Sequence, residues 1–566
     1  MHHPDIEVYT GQQDAMGFGK VVPVYREIGG MYQKTLRKVM YNLVMSDVQH
    51  RKGLLPMPLY EKYNLMPPWK ALFHLHQPTN LLTQEDTDGL SRQLAFEELF
   101  YYALAHLVRK QNNHTPGIAF NQETPRVKQL VHQLPFELTQ SQKKCFEEIE
   151  RDMQKPVAMN RLIQGDVGSG KTVVALMAAL KAIDHGHQAA LMAPTALLAM
   201  QHAASIEAMT QNMDLQVQTL VGKHTAKEKQ EIIKRLQAGK IDLLIGTHAL
   251  IEDYVQFQNL GLVIIDEQHR FGVRQKNRIR NQTQTPDVLV MSATPIPRSL
   301  ALTLFGDIDV SMINEMPRHR KRVETFVMQE AKRAQVYQMI RETVAKGQQV
   351  FMVYPLVEAS EHLDAKDAVS MAQDYQKKVF QDLRVGLLHG QMGAQEKDDV
   401  MQAFSQGQLD ILVSTTVIEV GIDVPNATLM VIEHPERFGL AQLHQLRGRV
   451  GRGDQASQCI LLTPPNASMT AKARLKKFST IYDGFTLAEE DLKLRGPGDF
   501  FGVAQSGMPH FSMAQFPRDM DLLEQTRREA QLLINEDPTL EKAENQVLTW
   551  VLTNLWSKRL QYIDVA

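Results

Sequence analysis

Gly165-Asp-Val-Gly-Ser-Gly-Lys171-Thr172 fits the pattern G-x-x-x-x-G-K-[ST], and the spacing has a physical purpose. Gly165, Gly168 and Gly170 let the chain turn its N–H groups inward, and with Asp166, Val167 and Ser169 they form a cradle for phosphate oxygens. A short apolar run precedes the motif and an amphipathic stretch follows it. A strand, a loop and a helix are therefore predicted, with the helix N-terminus adding positive potential. Lys171 would neutralise the β- and γ-phosphates of ATP, and the Thr172 hydroxyl would be a ligand of Mg²⁺.

The run Leu262-Val-Ile-Ile-Asp266-Glu267 ends in two acids. Carboxylates at the C-terminal edge of a parallel strand lie where open α/β sheets bind ligands. Asp266 is suited to hold magnesium, and Glu267 to orient or deprotonate the attacking water. Alone, such a pair equally well caps the next helix; it gains weight about 100 residues after a phosphate loop. A third cluster, Gln442-Leu-His-Gln445-Leu-Arg447-Gly-Arg449-Val-Gly-Arg452-Gly, packs three arginines into six residues. A solvated basic helix is one reading. The other is a pair of arginine fingers, Arg449 and Arg452, that bring fixed positive charge to the γ-phosphate as bonds break. Three apart, they share a face if a helix runs through them.

The elements that must position these groups follow from apolar periodicity. Short apolar runs at 161–165, 189–194, 241–247, 262–267 and 288–294 alternate with amphipathic stretches. The pattern returns at 349–355, 384–390, 410–416, 429–435 and 458–463. Such alternation predicts parallel sheets with crossover helices: two tandem α/β lobes joined near the polar stretch 314–325, which the resemblance of the phosphate loop to that of P-loop NTPases implies are of the RecA-like kind. Residues 1–30 are Gly-rich and strand-like, with Lys20–Tyr25 reading KVVPVY. Stretches 31–55 and 91–111 read as helices, the latter setting Leu94, Leu99, Leu104 and Leu107 near one face. The expected domains are 1–30, a helical linker at 31–130, the lobes at 131–315 and 316–480, and a smaller C-terminal region at 481–566.

The 566 residues suit about three to four domains. With a net charge of −2, any nucleic-acid surface must be a local basic track. Cys145 and Cys459 stand alone, which argues against a zinc site or a disulfide framework. No apolar run of membrane-spanning length occurs, and the first residues lack a signal-peptide pattern. The expected location is a reducing cytoplasm.

Taken together, these motifs resemble the superfamily-two helicases, and within them the RecG branch-migration helicases. Phe136-Glu-Leu-Thr139-Gln-Ser-Gln142 resembles the adenine-reading Q motif, with a helix-capping role for Gln142 as the lesser alternative. Ala193-Pro194-Thr195 and Gly246-Thr247-His248 resemble motifs Ia and Ib. Asp266-Glu267-Gln268-His269 resembles the RecG form of the Walker B box, and Ser292-Ala-Thr294-Pro-Ile-Pro-Arg298 resembles motif III. Tyr354-Pro-Leu, Leu388-His389-Gly390 and Ser414-Thr415-Thr416-Val-Ile-Glu419 continue the set. Asp491-Leu-Lys-Leu-Arg495-Gly496-Pro-Gly498, followed by Gln505-Ser-Gly, resembles the translocation segment that RecG shares with the transcription-repair coupling translocase. Gln268 and the stretch Arg92-Gln-Leu-Ala-Phe96-Glu97-Glu98-Leu99 favour RecG.

The resemblance implies DNA contacts at Pro194, Thr195, Thr247, His248, His389, Thr415 and Thr416. It implies coupling of hydrolysis to movement through Gln268, His269, Ser292, Thr294 and Gln445, residues for which local hydrogen bonding is the plainer alternative. Arg495, Gly496, Gly498 and Gln505 would carry translocation. The implied activity is ATP-driven remodelling of branched or duplex DNA: stalled forks, Holliday junctions and R-loops, by a monomer in the bacterial cytoplasm at the nucleoid, with single-strand-binding protein as a partner. Ala196 and Met200 depart from the glutamates that many RecG proteins carry in motif Ia. Residues 1–30 match only the last strands of the OB-fold wedge, so a short or partial chain is expected. Phe271, Phe500 and Phe501 read as core aromatics rather than base-stacking ones. Three other readings stay open: an RNA helicase on the same fold, a translocase without junction specificity, and an inactive binding remnant.

Overall fold

The computed structural model describes residues 21–26, 30–45, 53–78, 81–112, 115–252, 254–266, 285–294, 308–317, 321–355, 375–415, 424–453, 455–495, 511–516 and 518–556. It divides into two compact units. His114–Gly496 forms one, and Met1–Asn113 with Pro497–Ala566 forms the other.

In the first of these, β1 (Asn160–Gly165), β2 (Gln188–Met192), β3 (Val217–Leu220), β4 (Leu243–Gly246), β5 (Leu260–Asp266), β6 (Asp287–Ser292) and β7 (Asp309–Ile313) make a sheet of order β3-β4-β2-β5-β6-β1-β7. β8 (Glu324–Gln329), β9 (Gln349–Val353), β10 (Val385–Leu388), β11 (Ile411–Ser414), β12 (Ala427–Glu433) and β13 (Gln458–Thr463) make a second, of order β10-β11-β9-β12-β13-β8. Every strand pair in both sheets is parallel. All seven residues of β5 and of β12 are buried, as expected for parallel strands covered on both faces. Alternate side chains feed opposite cores: Leu262 and Ile264 one, Val263 and Ile265 the other. The second sheet repeats this with Met430 and Ile432 against Leu429 and Val431. Helix Lys171–Asp184, which follows the phosphate loop, buries every residue from Val173 to Ile183. A helix apolar all round belongs in a core, and that fixes the loop at its N-terminus.

Three strands escape the apolar-run reading: β3, β7 and β8. Each lies at a sheet edge, where one side is open and a continuous apolar run is not required. β8 is largely exposed, and its first residues fall inside the polar stretch 314–325 that joins the two sheets. In β7, Ser311 accepts from Arg161 Nη1 at 2.7 Å and donates to Glu148, so a polar residue is buried by pairing.

The second unit is helical. Its core joins Leu59, Tyr60, Phe96, Leu99, Phe100 and Leu104 to Leu522, Leu523, Ile534 and Trp556. The helix read over 91–111 starts earlier and runs Gln84–Asn112. Thr83 and Asp86 exchange backbone-to-side-chain bonds at its start, a capping pair. Leu94, Leu99, Leu104 and Leu107 are all buried. Of the stretch 31–55, Gln33–Met45 is helical, residues 53–55 are not, and residues 46–52 lie outside those described. The strand expected at Lys20–Tyr25 is a correction: residues 21–26 form none. Pro23 lacks an N–H, and the segment's polar groups go to side chains instead. Gln33 bonds both Tyr25 N and Tyr25 O, and Arg37 Nε donates to Pro23 O. The remaining N-terminal residues lie outside those described.

Two carboxylates of helix Gln84–Asn112 yield predictions. Glu98 accepts from the backbone N–H groups of Ser512, Met513 and Ala514 at 2.7–3.0 Å. Glu98→Ala strands all three donors, and at roughly 1–3 kcal/mol per stranded group this unit should lose about 3 kcal/mol or more in a urea titration. Burial raises the neighbouring Glu97 carboxyl to about 7, partly offset by a hydrogen bond from Tyr60. The folded unit then binds this proton more tightly than the unfolded chain. The share of stability that this proton contributes is lost as pH rises from about 4.5 to about 7 and stays lost above that. Glu97→Gln should remove roughly 2–3 kcal/mol of that pH dependence, read as the difference between parent and variant unfolding curves at pH 5 and pH 8.

Candidate functional site: a phosphate loop facing the second lobe

β1 ends at Gly165, and the chain turns through Asp166–Gly170 into helix Lys171–Asp184. Gly168 and Gly170 have φ of 79° and 85°, left-handed values that favour glycine. At Gly170 the requirement is doubled, because a Cβ would lie 2.2 Å from Gln142 Nε2. Lys171 Nζ donates to the carbonyls of Gly165 and Asp166, both at 2.9 Å. Ser169 is buried, and its hydroxyl has no hydrogen-bond partner among the described residues, which fits a loop built to take a polar ligand. Thr172 follows Lys171 in the first turn of the helix.

Gln142 lies in helix Gln140–Met153. Its Oε1 accepts from Thr139 N at 2.9 Å, completing a capping box, and its Nε2 donates to Ser169 O at 2.9 Å. The capping role is therefore present, and with it a direct hold on the phosphate loop.

Asp266, the last residue of β5, is buried and bonds His202 Nε2 through Oδ2 at 2.9 Å. The donors Thr172 and Asp266 are both oxygen, which suits Mg²⁺, an ion bound by one or two protein oxygens together with substrate phosphates. No cluster of three or more His, Cys, Asp or Glu suited to a metal occurs among the described residues. At the end of β6, Ser292 Oγ and Thr294 Oγ1 are 2.7 Å apart, and Gln164 Nε2 donates to Thr294 O at 3.1 Å. The β6 end is thus hydrogen-bonded to β1 just before the phosphate loop.

The arginine cluster meets this loop from the second sheet. Helix Leu440–Arg447 carries Gln445, partly buried, and His444, whose Nε2 is 2.6 Å from both oxygens of Asp166. A Cβ at Gly448 would sit 3.0 Å from Val167 Cβ, so the loop packs closely on this glycine. Arg447 is buried. It donates to Phe478 O and Ile481 O and stacks over the Phe478 ring at 4.3 Å. The shared-face argument for Arg449 and Arg452 needs correction, because the helix ends at Arg447 and both follow its cap, Gly448. Gly451, at φ 75°, keeps the chain non-helical between them. Arg449 is buried, and Arg452 Nε donates to Gly448 O at 3.1 Å. A solvated basic helix does not describe these residues.

The expected DNA contacts fall in two pairs at the C-terminal ends of neighbouring strands. Ala193 N bonds Gly246 O at 2.8 Å, bringing Pro194 and Thr195 beside Thr247. Thr195 caps helix Ala196–Thr210, and His248 opens the short helix His248–Ile251. In the second sheet Thr415 N bonds Leu388 O at 3.2 Å, bringing Thr415 beside His389. Glu267, Gln268, His269, Thr416, Gly496, Gly498 and Gln505 lie outside the described residues, as do Phe271, Phe500 and Phe501. Arg495 is placed only as the last residue of helix Gly484–Arg495.

Residues 139–303 match the model of the DEAD/DEAH box helicases, residues 331–454 the helicase conserved C-terminal domain, and residues 481–566 the C-terminal part of domain 3 of the ATP-dependent DNA helicase RecG. The ATP-dependent DNA helicase RecG of Bacillus subtilis is 43% identical over 530 residues, covering 93% of this chain and 77% of that protein. The chain belongs to the RecG family. The RecG of Thermotoga maritima is 47% identical over 513 residues, 90% of this chain. A solved structure of RecG bound to a three-way DNA junction matches with a TM-score of 0.69 and 45% identity, over 89% of this chain and 66% of that one. The chain spans 65% of the length of the Thermotoga and Synechocystis relatives.

RecG membership gives the two α/β lobes and nucleotide use. Two histidines escaped the sequence reading. His444 sits inside the arginine motif but carries no mark of its own. His202 had a weak signal: it interrupts the buried stripe Ala199, Ala203 and Ile206 on helix Ala196–Thr210. No helix among the described residues is long and apolar enough to cross a membrane.

Proposed function

We propose that this chain is an ATP-dependent DNA helicase and double-strand translocase that remodels branched DNA, reversing stalled forks, migrating Holliday junctions and unwinding R-loops. The observation that carries it is the approach of Asp166 and Val167 in the phosphate loop to His444 and Gly448 in the second lobe. A hydrolytic site assembled from two lobes makes hydrolysis depend on their closure, and closure can then be made to move DNA.

In this reading the N–H groups of the phosphate loop and Lys171 bind the β- and γ-phosphates, and Thr172 and Asp266 hold Mg²⁺. The bound metal neutralises phosphate charge. Gln142 keeps the loop in register and reads adenine. Glu267 orients water. Arg449 and Arg452 supply charge from the second lobe as the γ-phosphate departs. Ser292 and Thr294, with Gln268, His269 and Gln445, pass the state of the site to the strand ends that carry Thr195, Thr247, His248, His389, Thr415 and Thr416. Contacts there are to phosphate, so binding is independent of sequence and weakened by salt. Arg495, Gly496, Gly498 and Gln505 convert lobe closure into a step along the duplex. The domains take the bounds 1–30 (N-terminal segment), 31–130 (linker), 131–315 and 316–480 (lobes) and 481–566 (translocation region). By family kinship the protein works as a monomer in the bacterial cytoplasm, at the nucleoid, with single-strand-binding protein.

The test is strand displacement from a labelled three-way junction with ATP and magnesium, against a linear duplex of equal length. Release from the junction alone supports junction remodelling. Equal action on both substrates means translocation without junction specificity, and displacement only of RNA strands means the RNA-helicase reading.

A further inference from the structure

Both ring nitrogens of His444 are committed, and the partners decide which one carries the proton. Arg447 Nη2 lies 2.9 Å from Nδ1. A guanidinium only donates, so Nδ1 must accept and carries no hydrogen. The proton therefore sits on Nε2 and is donated to the Asp166 carboxylate. The imidazole is neutral and held in one tautomer, as second-partner bonds commonly fix histidine. Asp166, His444 and Arg447 are all less than 7% exposed, so water does not compete for these bonds.

Asp166 is held on both of its polar groups. Its carbonyl accepts from Lys171, and its carboxylate accepts from His444 and from Val167 N at 2.6 Å. Burial works against the Asp166 charge, yet His444, the Val167 N–H and Lys171 keep the carboxyl below its usual range. On the far side, Arg447 is fixed by Phe478 O, Ile481 O and the Phe478 ring. A continuous chain of bonds thus runs from the phosphate loop to residues 478–481.

We propose that His444 is a positioning residue that sets the shape of the phosphate loop from the second lobe, through the chain Asp166–His444–Arg447. This rests on the reading of the loop as the ATP site. A loop held this way presents its N–H groups to phosphate only while the second lobe is seated, and Gly448, Arg449 and Arg452 are brought to it by the same bond. Gln can donate to Asp166 and accept from Arg447, so His444→Gln retains the function and His444→Ala loses it.

The experiment has three readouts on the whole chain. The first needs no functional variant: the ¹⁵N spectrum near neutral pH, with His444 assigned by its absence in His444→Gln. A bare Nδ1 and a protonated Nε2 are expected; an imidazolium or the opposite tautomer overturns the proposal. The second is amide exchange. In His444→Ala both 166–170 and 478–481 should exchange faster by about tenfold or more, and in His444→Gln both should stay near the parent. Exchange unchanged in either segment overturns it. The third is DNA-stimulated ATP hydrolysis, where His444→Ala should lower kcat/KM by about ten- to a hundredfold and His444→Gln should recover most of the loss. An equal defect in both variants overturns the proposal, because the two hydrogen bonds that Gln keeps, to Asp166 and from Arg447, would then not be what carries the effect. If the parent hydrolyses no ATP while the tautomer and exchange results hold, the ATP-site reading falls and the positioning chain stands.

Discussion

Lys171→Ala is expected to lower DNA-stimulated ATP hydrolysis by about a thousandfold or more, with little change in the protein's stability. Lys171 is the first residue of a helix whose next turns are buried from Val173 to Ile183, so the helix does not depend on this side chain for its packing. The ammonium bonds two loop carbonyls, and those bonds are worth little against the charge it supplies to a reacting phosphate. Removing one preorganised donor from such a site commonly lowers the rate about 10²–10³-fold, and a full positive charge in a water-poor site has a larger effect. The check is steady-state hydrolysis at saturating DNA, with thermal unfolding of the same variant beside it. A Lys171→Ala protein that hydrolyses ATP within a few-fold of the parent would remove the phosphate loop from the account.

Arg449→Lys and Arg452→Lys are each expected to lower kcat by about 10³-fold while leaving DNA binding near the parent value. Lysine keeps the charge but loses the planar, multiply donating guanidinium. Arginines supplied to a departing phosphoryl group contribute on the order of 10³–10⁵ in rate. Both residues follow Gly448, where a Cβ would sit 3.0 Å from Val167 Cβ of the loop, so the chain reaches them from a point packed on the phosphate-binding segment. If lysine at both positions preserves kcat, they hold structure rather than phosphate. Single-turnover hydrolysis separates that result from a slow product release.

Much of the catalytic lobe was legible because the chemistry fixes the spacing. A phosphate loop needs glycines where the backbone turns left-handed, and Gly168 and Gly170 are in that conformation. Central strands of a parallel sheet must be apolar on both faces, which is why β5 and β12 stood out as unbroken runs. Edge strands have no such demand, and β3, β7 and β8 were missed for that reason. The N-terminal segment misled because KVVPVY has strand-forming residues, whereas its hydrogen bonds go to Gln33 and Arg37. The shared helical face expected of Arg449 and Arg452 does not form, since Gly448 ends the helix before them. His202 and His444 were least legible. Each acts through a carboxylate 64 or 278 residues away in sequence, and no local pattern reports a partner at that distance.

Coupling of ATP hydrolysis to branched DNA is decided by magnesium-dependent hydrolysis with the 566-residue chain. Rates would be compared without DNA, with single strand, with linear duplex and with a model fork, using Lys171→Ala to define background. Strong stimulation by the fork is expected, with weaker stimulation by linear duplex and loss of both in the variant. Hydrolysis that no DNA stimulates would contradict that coupling.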